Sequence, residues 1–135
     1  MPVASTVTNF DRKTVNVNDS PTIALAAGAD LSEKAGCAVK ISSDAAVLCD
    51  SQGERAFGII VSGAASGAPV SIAIQGRVQA QAGAAVTIGE LVTPQADGQL
   101  EPATSGDYPM GIALEDAAGA GSLFYILLTH AAIVA

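Results

Sequence analysis

Very few side chains in this sequence are of the types that perform chemistry. His130 is the single histidine among 135 residues, and a histidine base needs a nucleophile and a carboxylate beside it. No such partners are indicated near the apolar C-terminus, so we expect an ordinary strand residue. The neighbouring carboxylates Glu115 and Asp116, with Asp107, are of the kind that performs acid–base work or binds Ca²⁺. Because no calcium-loop spacing of aspartates is present, we expect solvated loop acids.

The two cysteines and the glycine-rich segments have equally plain interpretations. Cys37 and Cys49 lie among apolar residues with no further Cys or His at ligand spacing, which predicts small buried side chains. A disulfide between them stays open as the alternative. Segments 63–67 and 119–121 are rich in glycine, but a phosphate-binding loop is normally followed by a helix. Strands follow here, so we predict turns, and we predict no catalytic residue, no metal and no cofactor.

A block of small and apolar residues occurs twice, and it contains no acid, base or nucleophile that repeats. The copies cover about 35–74 and about 82–127. Gly58 and Gly111 are 53 positions apart (111 − 58). A repeated unit of packing residues without chemistry indicates a structural or binding protein.

The spacing between the copies changes along the block. Val70 and Leu123 are also 53 positions apart (123 − 70), whereas Gly36 and Gly83 are 47 apart (83 − 36). Aligning these two glycines predicts six additional residues in the middle of the second copy.

Short β-strands are the elements predicted to carry these residues. Apolar runs are bounded by turn signals roughly every 8 to 15 residues, as in sandwiches and barrels. Residues 70–75 alternate apolar with small or polar types, and Gly76 then predicts a bulge or bend. Residues 123–128 are apolar on both faces, which predicts a central strand or one covered by a neighbouring subunit. The alanine-rich segment 115–119 is interrupted by glycine, so we predict a loop there.

Composition limits the function further. Half of the residues are apolar but only 4% are aromatic, and small side chains favour burial between subunits in an oligomer. The net charge of −7 argues against nucleic-acid binding, and no apolar run is long enough to predict a membrane span. The N-terminus lacks the pattern of a signal peptide, so we expect synthesis in a cytoplasm.

The first 20 residues differ from the rest. Thr, Val and Asn alternate with isolated apolar residues up to Pro21, which predicts either a first strand or an extended arm that becomes ordered on a partner. We expect an N-terminal arm over 1–20 and a single β domain with the internal repeat over 21–135. The candidate docking residues are the apolar anchors and cations of this arm, with one threonine: Val3, Thr6, Val7, Phe10, Arg12 and Lys13.

The order of the segments is similar to that of a known family. An apolar strand at 45–50, a small-Gly-Ile-Ile strand at 56–61 and an alternating strand followed by Gly-Arg at 70–78 resemble the head decoration (capsid cement) proteins of tailed bacteriophages, including the lambda-type decoration protein. Segments 82–92 and 110–115 extend the resemblance, which covers about residues 35 to 128.

The resemblance implies a fold and a function. It implies an all-β fold, a small tulip-like sandwich or barrel of two similar β units with an extended N-terminal arm. It also implies a homotrimer that binds the major capsid protein on the outer capsid surface of the virion and stabilises the head, with no enzymatic activity. The alternative is another phage structural β-domain, such as a tail or fibre component.

Overall fold

The structure is a computed structural model that describes residues 21–129 and residue 134. Every regular element in that part of the chain is a β-strand, so the predicted all-β class is confirmed. The strands are β1 (Thr22–Ala26), β2 (Ala38–Ser42), β3 (Ala45–Leu48), β4 (Gly58–Ser62), β5 (Pro69–Ala73), β6 (Gly76–Gln81), β7 (Leu91–Pro94), β8 (Leu100–Pro102), β9 (Gly111–Ala113) and β10 (Leu123–Leu128).

The strands form two antiparallel five-stranded sheets that pack as a sandwich. The first sheet has the order β1-β5-β4-β2-β3 and the second has the order β6-β10-β9-β7-β8. Each strand of the first sheet therefore has a counterpart at the same place in the second. Each sheet also curls, because an isolated parallel bridge joins Ala27 to Ala46 in the first and Ala82 to Leu100 in the second.

Backbone hydrogen bonds define which residues of the two sheets correspond. The N–H of Gly36 donates to the carbonyl of Ile60, and the N–H of Gly89 donates to that of Ala113, each at 2.8 Å. Gly36 and Gly89 are 53 positions apart (89 − 36), the same offset as between the glycines that begin β4 and β9. Gly83 instead follows β6 and donates to β8. The alignment of Gly36 with Gly83, and the six additional residues that it predicted, are therefore wrong.

The main core is shared by the two sheets. Ala38, Ile59 and Ala73 of the first sheet belong to one buried cluster with residues of the second sheet that include Phe124 and Ile126. A separate cluster lies on the opposite, concave face of the first sheet, where the side chains of β2, β4 and β5 that point away from the second sheet are buried. The first sheet is thus apolar on both faces, and one of these faces is covered by the second sheet.

Glycines shape the turns in the way that the sequence predicts. Gly67 and Gly121 have φ angles of +85° and +87°, a region that costs little only for glycine. They lie in loops that precede β5 and β10, and no helix forms in the alanine-rich segment 115–119. Gly76 begins β6 with a φ of +89°, which redirects the chain from the first sheet into the second.

Candidate binding surfaces

The candidate docking residues of the N-terminal arm, Val3, Thr6, Val7, Phe10, Arg12 and Lys13, lie outside the described residues, and so does His130. The structure does define where the segment 1–20 is attached. It leads through Pro21 into β1, which is an edge strand paired along its length with β5. The carbonyl of Pro21 accepts a hydrogen bond from the N–H of Ile74 at 3.2 Å.

The adjacent carboxylates Glu115 and Asp116 close loops. Glu115 Oε1 accepts the N–H of Tyr125 at 3.0 Å, and Asp116 Oδ1 accepts the N–H of Ile88 at 2.8 Å. Both oxygens therefore satisfy backbone donors of the second sheet and its loops. Among residues 21–129 and 134, no group of three or more His, Cys, Asp or Glu side chains is placed to hold a metal ion.

Asp107 is buried and fixes the contact between the two sheets, which the sequence interpretation as a solvated acid missed. Its Oδ2 accepts the N–H of Thr104 at 2.8 Å and the side-chain amide of Gln52 at 3.1 Å. Beside Gln52, the N–H of Gly53 donates to the carbonyl of Pro94 at 2.8 Å. The loop between β3 and β4 is thereby held against the second sheet.

A small ionic cluster orders that same loop. Lys40 Nζ lies 2.6 Å from Asp50 Oδ1 and 3.2 Å from Glu54 Oε2. The other oxygen of Glu54 accepts the N–H groups of Asp50 and Ser51. Hydrogen bonds to the two carboxylates raise the pKa of Lys40, and the hydrogen bond from Lys40 lowers the pKa of Asp50. These charges serve the fold, since the loop packs on the second sheet.

Both cysteines are free thiols and are buried, in agreement with the interpretation as small apolar side chains. Burial raises the pKa of Cys37, and it raises the pKa of Cys49 to about 12. A thiol is nucleophilic mainly as the thiolate, so burial keeps both side chains in their unreactive form near neutral pH.

A groove between the two sheets is smaller than a typical ligand pocket. A groove of about 120 Å³ between the sheets is lined by residues that include Gly36, Val61, Val78 and Leu123, and ligand pockets usually measure about 300 to 1,000 Å³. No helix in the described part of the chain is long and apolar enough to cross a membrane.

Exposed apolar side chains are concentrated on the second sheet and its loops. Large exposed apolar residues of the described ranges are Ile41, Ile88, Leu91, Leu114, Leu123 and Leu127. Only Ile41 belongs to the first sheet. On the outer face of the second sheet, the Arg77 guanidinium lies 4.0 Å from the centre of the Tyr125 ring. Contiguous apolar surface bordered by polar groups is typical of a surface that binds another macromolecule.

Comparison with known proteins agrees with a structural role. In solved structures, the chain is similar to the N base of the head fiber gp8.5 of bacteriophage phi29, with a TM-score of 0.63 and 17% sequence identity over 84% of this chain and 97% of that chain. At this identity the likeness shows the fold alone. No curated protein sequence matches. A family described as phage cement protein matches residues 13–128. Because that match covers most of the sequence, the chain belongs to the phage cement proteins, a family of structural proteins associated with the phage head.

Proposed function

We propose that this protein is a capsid decoration protein that binds the outer surface of the phage head and stabilises contacts between major capsid protein subunits. The family match over residues 13–128 is the observation that carries the proposal. The structure supports it because the candidate catalytic carboxylates and thiols serve folding, while the exposed apolar surface suits protein contacts. The proposed function does not include catalysis. The narrower similarity to the lambda-type decoration protein stays a prediction.

The proposed assembly is a homotrimer, made in the host cytoplasm and attached to the outside of the head. Support comes from the small side chains of the chain and from the unpartnered apolar residues of the second sheet. Three copies joined together bring three N-terminal segments to one capsid site. Once one segment is bound, the others bind at a high effective concentration, so weak individual contacts give a stable clamp.

The N-terminal segment is proposed to make the capsid contact. An extended chain adds readily to the exposed edge of another sheet, where main-chain hydrogen bonds supply the affinity. Attachment to the edge strand β1 supports this role, since the segment does not start in the middle of the sandwich. The net charge of −7 suits a protein that faces outward and away from packaged DNA.

Deleting residues 2–12 tests the proposed arm. Purified expanded heads that lack the protein are mixed with wild-type or truncated chain and sedimented, and the bound fraction is measured against concentration. The truncated protein is expected to keep the circular dichroism spectrum and sedimentation coefficient of the wild type while losing binding. Equal binding by the two proteins would show that the arm is not the docking element.

Single substitutions within the arm refine this test. Phe10→Ala removes a proposed apolar anchor, whereas Thr8→Ala changes a neighbour outside the proposed set and serves as the matched control. Only the Phe10 variant is expected to bind heads more weakly, by about 10-fold or more, as for loss of a buried aromatic anchor. Equal affinities of the two variants would contradict the assignment of Phe10.

A second candidate function is that of a fibre or tail component. The observation in its favour is the solved structure with a similar fold, which is the base of a head fiber. Labelled antibody against the protein, applied to intact particles, separates the two. Label distributed over the head surface supports the decoration role, and label confined to the tail or to projecting fibres supports the alternative.

A further inference from the structure

The outer face of the first sheet is covered by the second sheet. Ala38, Ile59 and Ala73 form a row across β2, β4 and β5 through the registers Ala38–Ile59 and Ile59–Ala73. All three side chains are 0% exposed and belong to the core that the two sheets share. Val61, two residues after Ile59, packs against the same core.

The same places on the second sheet are occupied by apolar residues of equal or larger size, of which the three leucines are exposed. Leu91, Ile112 and Leu127 form the corresponding row across β7, β9 and β10, through the registers Ile112–Leu91 and Ile112–Leu127. Leu91 and Leu127 are each 38% exposed, and so is Leu114, which corresponds to Val61. We call Leu91, Ile112, Leu114 and Leu127 the open face.

The turn between β7 and β8 contacts the end of this row at Ala38, while other residues of the second sheet bury the rest of it. Gly98, in this turn, is buried, and its carbonyl accepts the N–H of Ala38 at 2.7 Å. Pro94, at the end of β7, is buried as well. This turn is therefore one part of the contact that the second sheet makes with the outer face of the first sheet.

The turn of the first sheet that corresponds to the β7–β8 turn is exposed. It connects β2 to β3 through Ser43 and Asp44, both of which lie in solvent. Ile41 holds the position that corresponds to Pro94 and is 50% exposed. The chain therefore leaves uncovered the counterparts of both surfaces that meet at Ala38. These are the shorter β2–β3 turn of the first sheet and the open face of the second.

We propose that the open face docks the β2–β3 turn of a second copy of this chain, with Ile41 at its centre. The contact between the two sheets of one chain is then repeated between chains. Such a contact is heterologous, since different surfaces meet, and it closes a ring when the rotation permits. The number of copies, three, rests on the proposed function; the docking surfaces do not.

The chain's own C-terminal segment is the competing occupant. Val134 accepts a hydrogen bond from the N–H of Gly106 and donates one to the carbonyl of Asp107, each at 2.8 Å. Gly106 corresponds to Gly53, which makes its own hydrogen bond to Pro94 across the sheets. Val134 thus lies beside the loop between β8 and β9, while the leucines of the open face are exposed.

Introduction of a charge on the open face tests the proposal in the absence of heads. Leu127→Glu places a carboxylate in the proposed contact, and Leu123→Glu is the matched control. Because Leu127 corresponds to Ala73 in the strand registers, Leu123 corresponds to Pro69, so the alignment of Leu123 with Val70 predicted from the sequence is wrong by one residue. Leu123 is more exposed, at 55%, but Pro69 lies in solvent. In sedimentation velocity at micromolar concentration, wild type and Leu123→Glu are expected to be oligomers. Leu127→Glu is expected to be a folded monomer, with the dissociation constant raised about 100-fold or more. A monomeric wild type, or equal behaviour of the two variants, overturns the proposal.

A compensating pair of substitutions tests whether the open face of one copy meets the β2–β3 turn of another. Ile41→Lys alone is expected to weaken assembly, and the double variant Ile41→Lys with Leu127→Glu is expected to recover it, because unlike charges then meet at every contact. Recovery on mixing Leu127→Glu with Leu127→Lys would instead show that the open face meets itself, which contradicts the proposal.

Truncation after Thr129 tests the competing occupant. The truncated protein is expected to remain an oligomer, and dissociation of the oligomer would show that the C-terminal segment makes the contact. Because heads are absent, failure of capsid binding would leave these results unaffected.

Discussion

The glycine that begins the fourth strand of each sheet sets the distance between two backbones. A Cβ atom built on Gly58 would lie 2.3 Å from the carbonyl oxygen of Ala73 and 2.7 Å from Cγ2 of Ile72. The oxygen belongs to the backbone of β5, which is held between β1 and β4. Moving it away would therefore disturb the pairing of β5 with its neighbours. Gly58→Ala is therefore expected to lower the free energy of unfolding by about 2 to 3 kcal/mol, as for other overpacked core sites.

Urea unfolding, followed by circular dichroism at one fixed protein concentration, measures this effect, because assembly would otherwise shift the apparent stability. Gly111→Ala is expected to behave alike, since its Cβ would lie 2.5 Å from the carbonyl oxygen of Leu127. Gly119→Ala is the matched control, because nothing lies within 4 Å of its Cβ position. The control should change stability by less than about 1 kcal/mol. A Gly58→Ala protein within about 0.5 kcal/mol of wild type, with an unchanged slope in urea, would refute the packing argument.

Two further predictions concern titratable groups. Cys49, whose pKa is raised to about 12, should stay unlabelled by a thiol reagent at pH 8 until the protein unfolds, and labelling of the folded chain at the rate of the denatured chain would contradict its burial. Lys40→Met removes the hydrogen bond that lowers the pKa of Asp50, so the Asp50 carboxyl should titrate at higher pH by NMR. A lowered folded pKa gives stability that is present above the unfolded value and lost as the pH falls through the folded value. The variant should therefore lose less stability than wild type below about pH 4, and an unshifted Asp50 titration would count against the hydrogen bond.

Strand positions could be predicted from the sequence because burial imposes a simple pattern. The alternation at 70–75 corresponds to β5, and the apolar run at 123–128 corresponds to β10. The alignment of the two copies could not be predicted, since the dipeptide Ala-Gly recurs at 27–28, 35–36 and 82–83. Only the hydrogen-bond partners show that Gly83 takes the place of Gly28, because each donates to the third strand of its own sheet.

The roles of the loop carboxylates could not be predicted from the sequence for a similar reason. Glu115 and Asp107 both lie in loops of the second half and both resemble ordinary surface acids. Glu115 caps a backbone N–H of β10, whereas Asp107 is buried at the contact between the sheets. A polar loop residue becomes buried only because another loop folds over it. For Asp107 that loop includes Gln52, 55 positions earlier in the chain, a separation that no local pattern reports.

The sizes of corresponding residues agree with one contact made twice, once within a chain and once between chains. Within the chain, the row on the first sheet contains Ala38 and Ala73, and β5 and β6 are separated by only two residues, 74 and 75. So short a connection keeps the sheets at a high effective concentration, and small side chains suffice to hold them together. Between chains, association has to overcome the loss of translational and rotational freedom. Leu91 and Leu127 replace the two alanines at these places, and each leucine can bury several more carbon atoms, at about 25 cal/mol per Å² of apolar surface. If the open face had no partner, there would be no reason for the exposed positions of the second sheet to hold larger apolar residues than the corresponding buried positions of the first.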